Sequence, residues 1–326
     1  MAIDWWQLRH AYGRATDTPG HLHALEFGDA QARKAALWHL DVAVLHQGFP
    51  DSATAPAVRA VTELLAEGRA HPDTVESLLE FIGNVARSVT GLAGDDDFAA
   101  YLPDLADAAA EVYPITLVLL EASAPERTAF RATDIVAIAQ IPALADRREA
   151  LAALILERSA RDPGPQEPWV FCLSQLGVDL RHLLFDPDPA VRLRAALSHE
   201  DEPRSQELIL AGLTEPPPQG LHQSELVAAA IRIASDFEMI AAAACELARQ
   251  ASWTGFDDGW GALVGFAFPD PYCEHRPLTN AQRGLLRALL ANDDKELWNP
   301  KNGSCGLVFR RAGLTHDRDA CRQLVG

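Results

Sequence analysis

The sequence lacks any stretch of about 18 uncharged apolar residues, the length that a membrane-spanning helix needs. The best candidate, Leu226 to Ala244, is interrupted by Arg232, Asp236 and Glu238. The first residues also lack the basic and apolar regions of a secretory leader. We therefore expect a soluble, cytoplasmic protein that does not contact a membrane.

Cysteine is scarce, and basic residues are outnumbered. The five cysteines stand at unpatterned positions, which argues against a disulfide framework. The 28 basic residues face 46 acidic ones, giving a net charge of −18. Residues 301–326 alone carry a net charge of +3, so the preceding 300 residues sum to −21. Such a surface repels nucleic acid and anionic lipid. It is either ordinary solvated charge or an acidic face for a basic partner.

The motifs of common catalytic and nucleotide-binding sites are missing as well. The chain has no G-x-x-x-x-G-K-[ST] loop, no G-x-S-x-G elbow and no H-E-x-x-H pair. The glycines around Trp260 follow no strand pattern, so they predict no nucleotide site. The sequence therefore predicts no catalytic residue and no cofactor, and it favours a protein that is not an enzyme.

Helical periodicity is present almost throughout, and no strand pattern competes with it. Asp73 and Glu76, and later Thr279 and Gln282, have the spacing of capping boxes at helix starts. Prolines divide the chain into short segments, and Pro114 predicts a break near Tyr113. The pattern predicts an all-α fold. Its clearest stripe, at steps of three and four, is Val75, Leu78, Leu79, Ile82, Val85, Ala86 and Val89.

Two short stretches share a repeat pattern. Residues 186–197 contain an Asp/Pro turn, an aliphatic-Arg pair and then alanines, and residues 28–37 are an earlier copy. The two arginines, Arg33 and Arg192, are about four periods of ~40 residues apart. This pattern resembles that of the HEAT-repeat family. The clearer match is Asp188, Arg192 and Ala195, and the weaker one is Asp29, Arg33 and Ala36.

The HEAT resemblance implies an α-solenoid of stacked antiparallel helix pairs, in which the Asp and Arg of successive repeats can form a ladder. We expect one domain over residues 1–326, with a possible weak break near 162–168. Trp38 directly follows the stretch 28–37, in the apolar face of that helical unit, and we expect it in the core.

The sequence offers candidate metal ligands only near its C-terminal end. The thiols and imidazoles there have no C-x-x-C pairing and irregular separations, so buried free thiols and incidental histidines are the favoured interpretation and no metal site is predicted. The residues are Cys273, His275, Cys305, His316 and Cys321.

Two clusters are the candidate binding residues. Six aromatic residues fall within 20 positions, with two aspartates among them; they either form an interface or fill the core of the last repeats. Arg310 and Arg311 either contact phosphates or an acidic partner, or offset a helix dipole. The candidate binding residues are Trp253, Phe256, Asp257, Asp258, Trp260, Arg310 and Arg311.

Two classes of function are compatible with these observations. The first is a non-enzymatic scaffold, adaptor or inhibitor that binds another protein with a curved acidic surface. A specific form of it is an immunity protein against a basic toxin such as a nuclease. The alternative is a HEAT-like DNA glycosylase of the alkylpurine type, but its need for a basic, phosphate-binding face conflicts with the charge of −21 over residues 1–300.

Overall fold

The computed structural model describes residues 3–122, 125–252 and 259–326, and these residues are predominantly helical. Contacts within the chain divide it into two compact units, Met1–Val178 (unit 1) and Asp179–Gly326 (unit 2). The expectation of one domain stays a prediction, and each unit is described by itself. No helix in the described ranges is long and apolar enough to cross a membrane.

Unit 1 contains nine of the described α-helices, together with a π-helical turn over Leu40–Val44 and a 3-10 turn over Pro142–Arg147. The helices are α1 (Thr18–Phe27), α2 (Ala30–His39), α3 (Thr54–Ala66), α4 (Val75–Gly91), α5 (Leu102–Glu111), α6 (Tyr113–Glu121), α7 (Pro125–Ala139), α8 (Arg148–Ser159) and α9 (Glu167–Gln175).

Unit 2 begins with a 3-10 turn over Arg181–Phe185 and continues with eight described helices. They are α10 (Pro189–Ser198), α11 (Pro203–Gly212), α12 (Gln223–Ile233), α13 (Phe237–Gln250), α14 (Gly261–Ala267), α15 (Asn280–Ala291), α16 (Gly303–Arg311) and α17 (Arg318–Val325).

Two small antiparallel hairpins near the N-terminus were not expected. The first pairs β1 (Arg9–His10) with β2 (Gly13–Arg14), and the second pairs β3 (Leu45–His46) with β4 (Phe49–Pro50). In the second hairpin, Gln47 and Gly48 both have positive φ, 54° and 82°, as a two-residue type I′ turn requires. Strands of two residues are too short to show an alternating pattern, so the sequence analysis missed them.

Both predicted helix starts are found, but the predicted capping box forms at only one of them. Thr279 and Gln282 form a capping box at the start of α15. Asp73 does not cap α4, which begins at Val75 without a side-chain cap. The Asp73 carboxylate instead accepts hydrogen bonds from Arg33, and Glu76 pairs with Arg131.

The break predicted at Pro114 is confirmed. Helix α5 ends at Glu111 and α6 begins at Tyr113, so Pro114 is the second residue of the new helix. At this position its missing N–H is not needed for an intrahelical hydrogen bond.

The predicted apolar stripe of α4 is largely buried, with Leu78, Ile82 and Val85 fully inaccessible. Helix α4 packs on α7, and Gly83 permits the contact, because a Cβ there would lie 2.4 Å from Oδ1 of Asp134.

The prediction for Trp38 is wrong, since 64% of it is exposed. Helix α2 buries Ala36 and His39 instead. Successive helical positions point about 100° apart, and Trp38 therefore faces away from the stripe that its neighbours form.

Helices in both units contact their second neighbours along the chain as well as their immediate ones. In unit 1, α3 packs on α5 and α7 on α9. In unit 2, α12 packs on α14, α13 on α15, α14 on α16 and α15 on α17.

Candidate functional site

Only part of the predicted aromatic cluster lies among the described residues. Trp253, Phe256, Asp257 and Asp258 lie outside the described residues. Trp260 is 1% exposed, and its indole N–H donates to the carbonyl oxygen of residue 252 at 3.1 Å. Trp260 therefore packs in the core of unit 2, and its predicted binding role stays a prediction.

Arg310 and Arg311 lie in the last turn of α16, and both are exposed. Within the described ranges, neither guanidinium makes an ion pair. Their place at a helix C-terminus fits an interaction with the helix dipole. Their predicted contact with phosphates or an acidic partner stays a prediction.

The C-terminal thiols and imidazoles do not come together among the described residues. Cys305 and Cys321 are buried, and burial raises the pKa of the Cys321 thiol to about 11. The Nε2 of His316 donates to the carbonyl oxygen of Leu297 at 2.7 Å. Cys305 and Cys321 are therefore core residues whose thiols hold their protons at neutral pH, whereas Cys273 and His275 are exposed.

A different group forms at the N-terminal end of unit 1. His10, Asp17 and His39 place one potential metal-ligating atom each within 4.8 Å of one another, the only such group in the described part of the chain. His10 ends β1, Asp17 directly precedes α1, and His39 is the last residue of α2.

The path of the chain explains why these residues meet. Only Gly28 and Asp29 separate α1 from α2, and the two helices pack together. The first residue of α1 and the last of α2 therefore lie at the same end of the pair. The β1–β2 hairpin joins them there, because the N–H of Ala11 donates to the carbonyl oxygen of Ala43 at 3.0 Å.

The two imidazoles face opposite oxygens of the Asp17 carboxylate. The Nε2 of His10 is 3.0 Å from Oδ1, and the Nδ1 of His39 is 4.0 Å from Oδ2. The other nitrogen of His39 lies 3.0 Å from the Thr18 hydroxyl. Both histidines are buried, whereas the Asp17 side chain is 54% exposed. The carboxylate thus separates the imidazoles from solvent.

Hydrogen bonds determine the proton position on His10. The backbone N–H of Tyr12 donates to the Nδ1 of His10 at 3.1 Å, so the proton of the neutral ring is on Nε2. The Nε2–H of His10 therefore donates a hydrogen bond to Oδ1 of Asp17.

The electrostatics of the group favour a neutral His39 beside an ionised carboxylate. Burial, followed by the charge of His21, lowers the pKa of His39 to about 4, although Asp17 opposes this shift. The His21 ring stacks on His39 with centroids 4.1 Å apart. Burial acts to raise the pKa of Asp17, but the His10 hydrogen bond and both histidine charges hold it below its usual value.

The order Thr18–His39–Asp17 resembles that of a nucleophile, a base and an acid, but two observations oppose such chemistry. Thr18 is 0% exposed, so its hydroxyl cannot reach a substrate. The 4.0 Å from His39 to Asp17 also exceeds a hydrogen bond. Two imidazoles and a carboxylate are instead a set of donors for a transition metal.

The sequence analysis did not single out this group. One signal was available, since five of the 11 histidines lie between positions 10 and 46, namely His10, His21, His23, His39 and His46. Spacing alone could not show which of them converge.

Comparison of the chain with protein-family models, with curated proteins and with solved structures finds no match. The class that the described residues define is a predominantly helical protein with two compact units.

Proposed function

We propose that the chain is a HEAT-like helical-repeat protein that binds a basic protein partner and does not act as an enzyme. The observation that carries this proposal is a turn that recurs in both units. Asp29 caps α2 by accepting from the N–H of Ala32 at 2.8 Å. Asp188 caps α10 by accepting from the N–H of Ala190 at 2.9 Å.

The arginines of the two turns make the same further contact. The Nη1 of Arg33 donates to the carbonyl oxygen of Gly28 at 2.7 Å, and the Nη1 of Arg192 to that of Pro187 at 2.9 Å. Each arginine therefore binds the carbonyl five residues before it and closes the turn that leads into its helix. The same turn at two places in the chain is what repeated structural units are expected to show.

Longer contacts support stacked repeats. In unit 1, three ion pairs join residues separated by close to one period of ~40. They are Glu26–Arg69, Arg59–Asp104 and Arg87–Asp134, with separations of 43, 45 and 47 residues. Packing between second neighbours is also what stacked helix pairs need to cover their apolar faces.

The charge distribution indicates the kind of partner. Residues 88–126, called here the acidic segment, contain no lysine or arginine, and their eight acids are Asp95, Asp96, Asp97, Asp104, Asp107, Glu111, Glu121 and Glu126. The first seven are exposed. Such a face attracts a basic protein and repels nucleic acid, which favours the adaptor, inhibitor or immunity protein over the glycosylase.

The experiment is affinity capture from lysate of the source organism at low and high salt, with bound protein and nucleic acid both identified. The test variant carries Asp95→Lys, Asp96→Lys and Asp97→Lys. The matched control carries Glu238→Lys, Glu274→Lys and Asp293→Lys, which give the same net charge from exposed acids of unit 2.

We expect one basic protein that binds the wild type and the control in a fixed ratio, and that high salt or the test variant releases. A partner that both variants lose equally would show that net charge, rather than the acidic segment, is recognised. Nucleic acid captured without protein would contradict the proposal and favour the glycosylase.

A further inference from the structure

We propose that His10, Asp17 and His39 form a binding site for a divalent transition metal of the zinc type. This inference is independent of the proposed function. Neutral imidazole nitrogens and a carboxylate oxygen are ligands that zinc accepts, and three protein ligands leave a fourth position open.

The spacing of the three donors fits such an ion. Zinc bonds to nitrogen and oxygen are about 2.0–2.2 Å long, so ligand atoms around a tetrahedral ion lie about 3.3 Å apart. The Nε2 of His10 lies 3.0 Å from Oδ1 of Asp17 and the Nδ1 of His39 lies 4.0 Å from Oδ2, and one ligating atom of each residue lies within 4.8 Å of the other two. Binding therefore requires these atoms to move closer together around the ion, and the half-exposed Asp17 side chain has room to move.

His39 is already oriented as a ligand. When its Nε2–H donates to the Thr18 hydroxyl, the lone pair of its Nδ1 faces Asp17. A ligating histidine commonly donates its second N–H in this way, which fixes the tautomer and the ring. The stacked His21 ring, whose centroid lies 4.1 Å from that of His39, holds the plane of the imidazole.

Access is provided by Asp17. With half of this side chain exposed and both imidazoles buried beneath it, an ion reaches the histidines by way of the carboxylate. A solvent water then completes the coordination at the exposed side.

His10 must change tautomer when the ion binds. Its Nε2 proton moves to Nδ1, the Nε2 lone pair binds the ion, and the hydrogen bond from the Tyr12 N–H is lost. The proton stays on the ring, so the step is balanced. It predicts a shift of the Tyr12 backbone amide resonance on metal binding.

The experiment titrates the metal-free full-length chain with Zn²⁺ by calorimetry and with Co²⁺ by visible absorption. We expect one ion per chain, a tetrahedral Co²⁺ spectrum without a thiolate-to-cobalt band, and a shifted Tyr12 amide. Asp17→Asn and His10→Gln should weaken binding about 100-fold or more, and Thr18→Val about 10-fold. The matched control is His23→Gln, an exposed histidine of α1, which should bind like the wild type.

Asp17→Asn keeps the test valid if the buried histidine variants fail to fold, because the Asp17 side chain is half-exposed and accepts no capping hydrogen bond from α1. The proposal is overturned if the wild type binds neither ion, if Asp17→Asn binds as tightly as the wild type, or if a thiolate band shows that a cysteine holds the metal.

Discussion

In unit 1, His10 and His39 face one shared carboxylate, whereas in unit 2 His316 lies among aromatic rings. The His316 ring stacks on Phe309 at 5.1 Å and on Trp298 at 6.1 Å. Both settings give the ring a hydrogen-bond partner, but only the first adds a negative charge with a side open to solvent. The charged neighbour of a histidine therefore distinguishes a candidate ligand from a packing residue.

The largest expected effect on stability is at Phe309, which packs among aromatic rings of unit 2. Phe309 is 0% exposed and contacts Trp260, Trp298 and His316. Phe309→Ala should lower the free energy of unfolding of unit 2 by about 3–5 kcal/mol, because it leaves a cavity. Urea unfolding followed by tryptophan fluorescence measures the loss.

The control for that variant is Phe185→Ala, which removes a ring that is 75% exposed in the same unit. It should change the free energy by less than about 0.5 kcal/mol. Equal losses for the two variants would contradict a core role for Phe309.

Two carboxyl groups of unit 1, those of Asp17 and Asp134, also differ in their surroundings. Asp17 has histidine partners, whereas burial raises the pKa of Asp134 to about 6 despite the hydrogen bond from Arg87. The folded chain therefore keeps the Asp134 proton at pH values where the unfolded chain has lost it. The stability from this proton is complete below the unfolded pKa of 3.8 and is lost as the pH rises to about 6.

Asp134→Asn does not titrate, so its stability relative to the wild type should be greater at pH 7 than at pH 4 by about 2–3 kcal/mol. Urea unfolding of both proteins across this range measures the difference. A difference that does not vary with pH would show that the pKa of Asp134 is the same in the folded and unfolded chain.

Arg131 in unit 1 and Arg194 in unit 2 both have little exposure, and the two have similar partners. Arg131 binds Glu76 and the Leu119 carbonyl, and Arg194 binds Glu225 and the Gly220 carbonyl. Glu76→Gln and Glu225→Gln each remove the carboxylate charge that faces the guanidinium. Each should cost about 2 kcal/mol, measured by denaturant unfolding.

The control is Arg181→Gln, which breaks an exposed pair with Asp179 and should cost much less. If only one glutamate variant is destabilised, the arginines of the two units are not equivalent.

The smallest effect tests the repeated turn. Asp29→Ala and Asp188→Ala each remove an N-cap and should cost about 1 kcal/mol, whereas Asp29→Asn and Asp188→Asn keep a capping oxygen and should cost less. Thermal unfolding of the four variants measures this. A loss at Asp188 without one at Asp29 would show that the first turn is not a copy of the second.

Much of the helical framework could be predicted from the sequence, and little of the candidate site could. The break at Pro114, the cap at Thr279 and the stripe on α4 depend on residues within a few positions of one another. The exposure of Trp38 and the burial of Trp260 depend on which neighbouring element covers each helix face. No local pattern contains that information.

The sequence by itself determined that this protein is helical and acidic, because helix periodicity, proline breaks and charge are properties of short segments and of composition. Only the tertiary structure decided that His10, Asp17 and His39 meet. Their convergence requires the hairpin and the antiparallel α1–α2 pair to bring together residues up to 29 positions apart. The sequence shows the three side chains but not the distances between them.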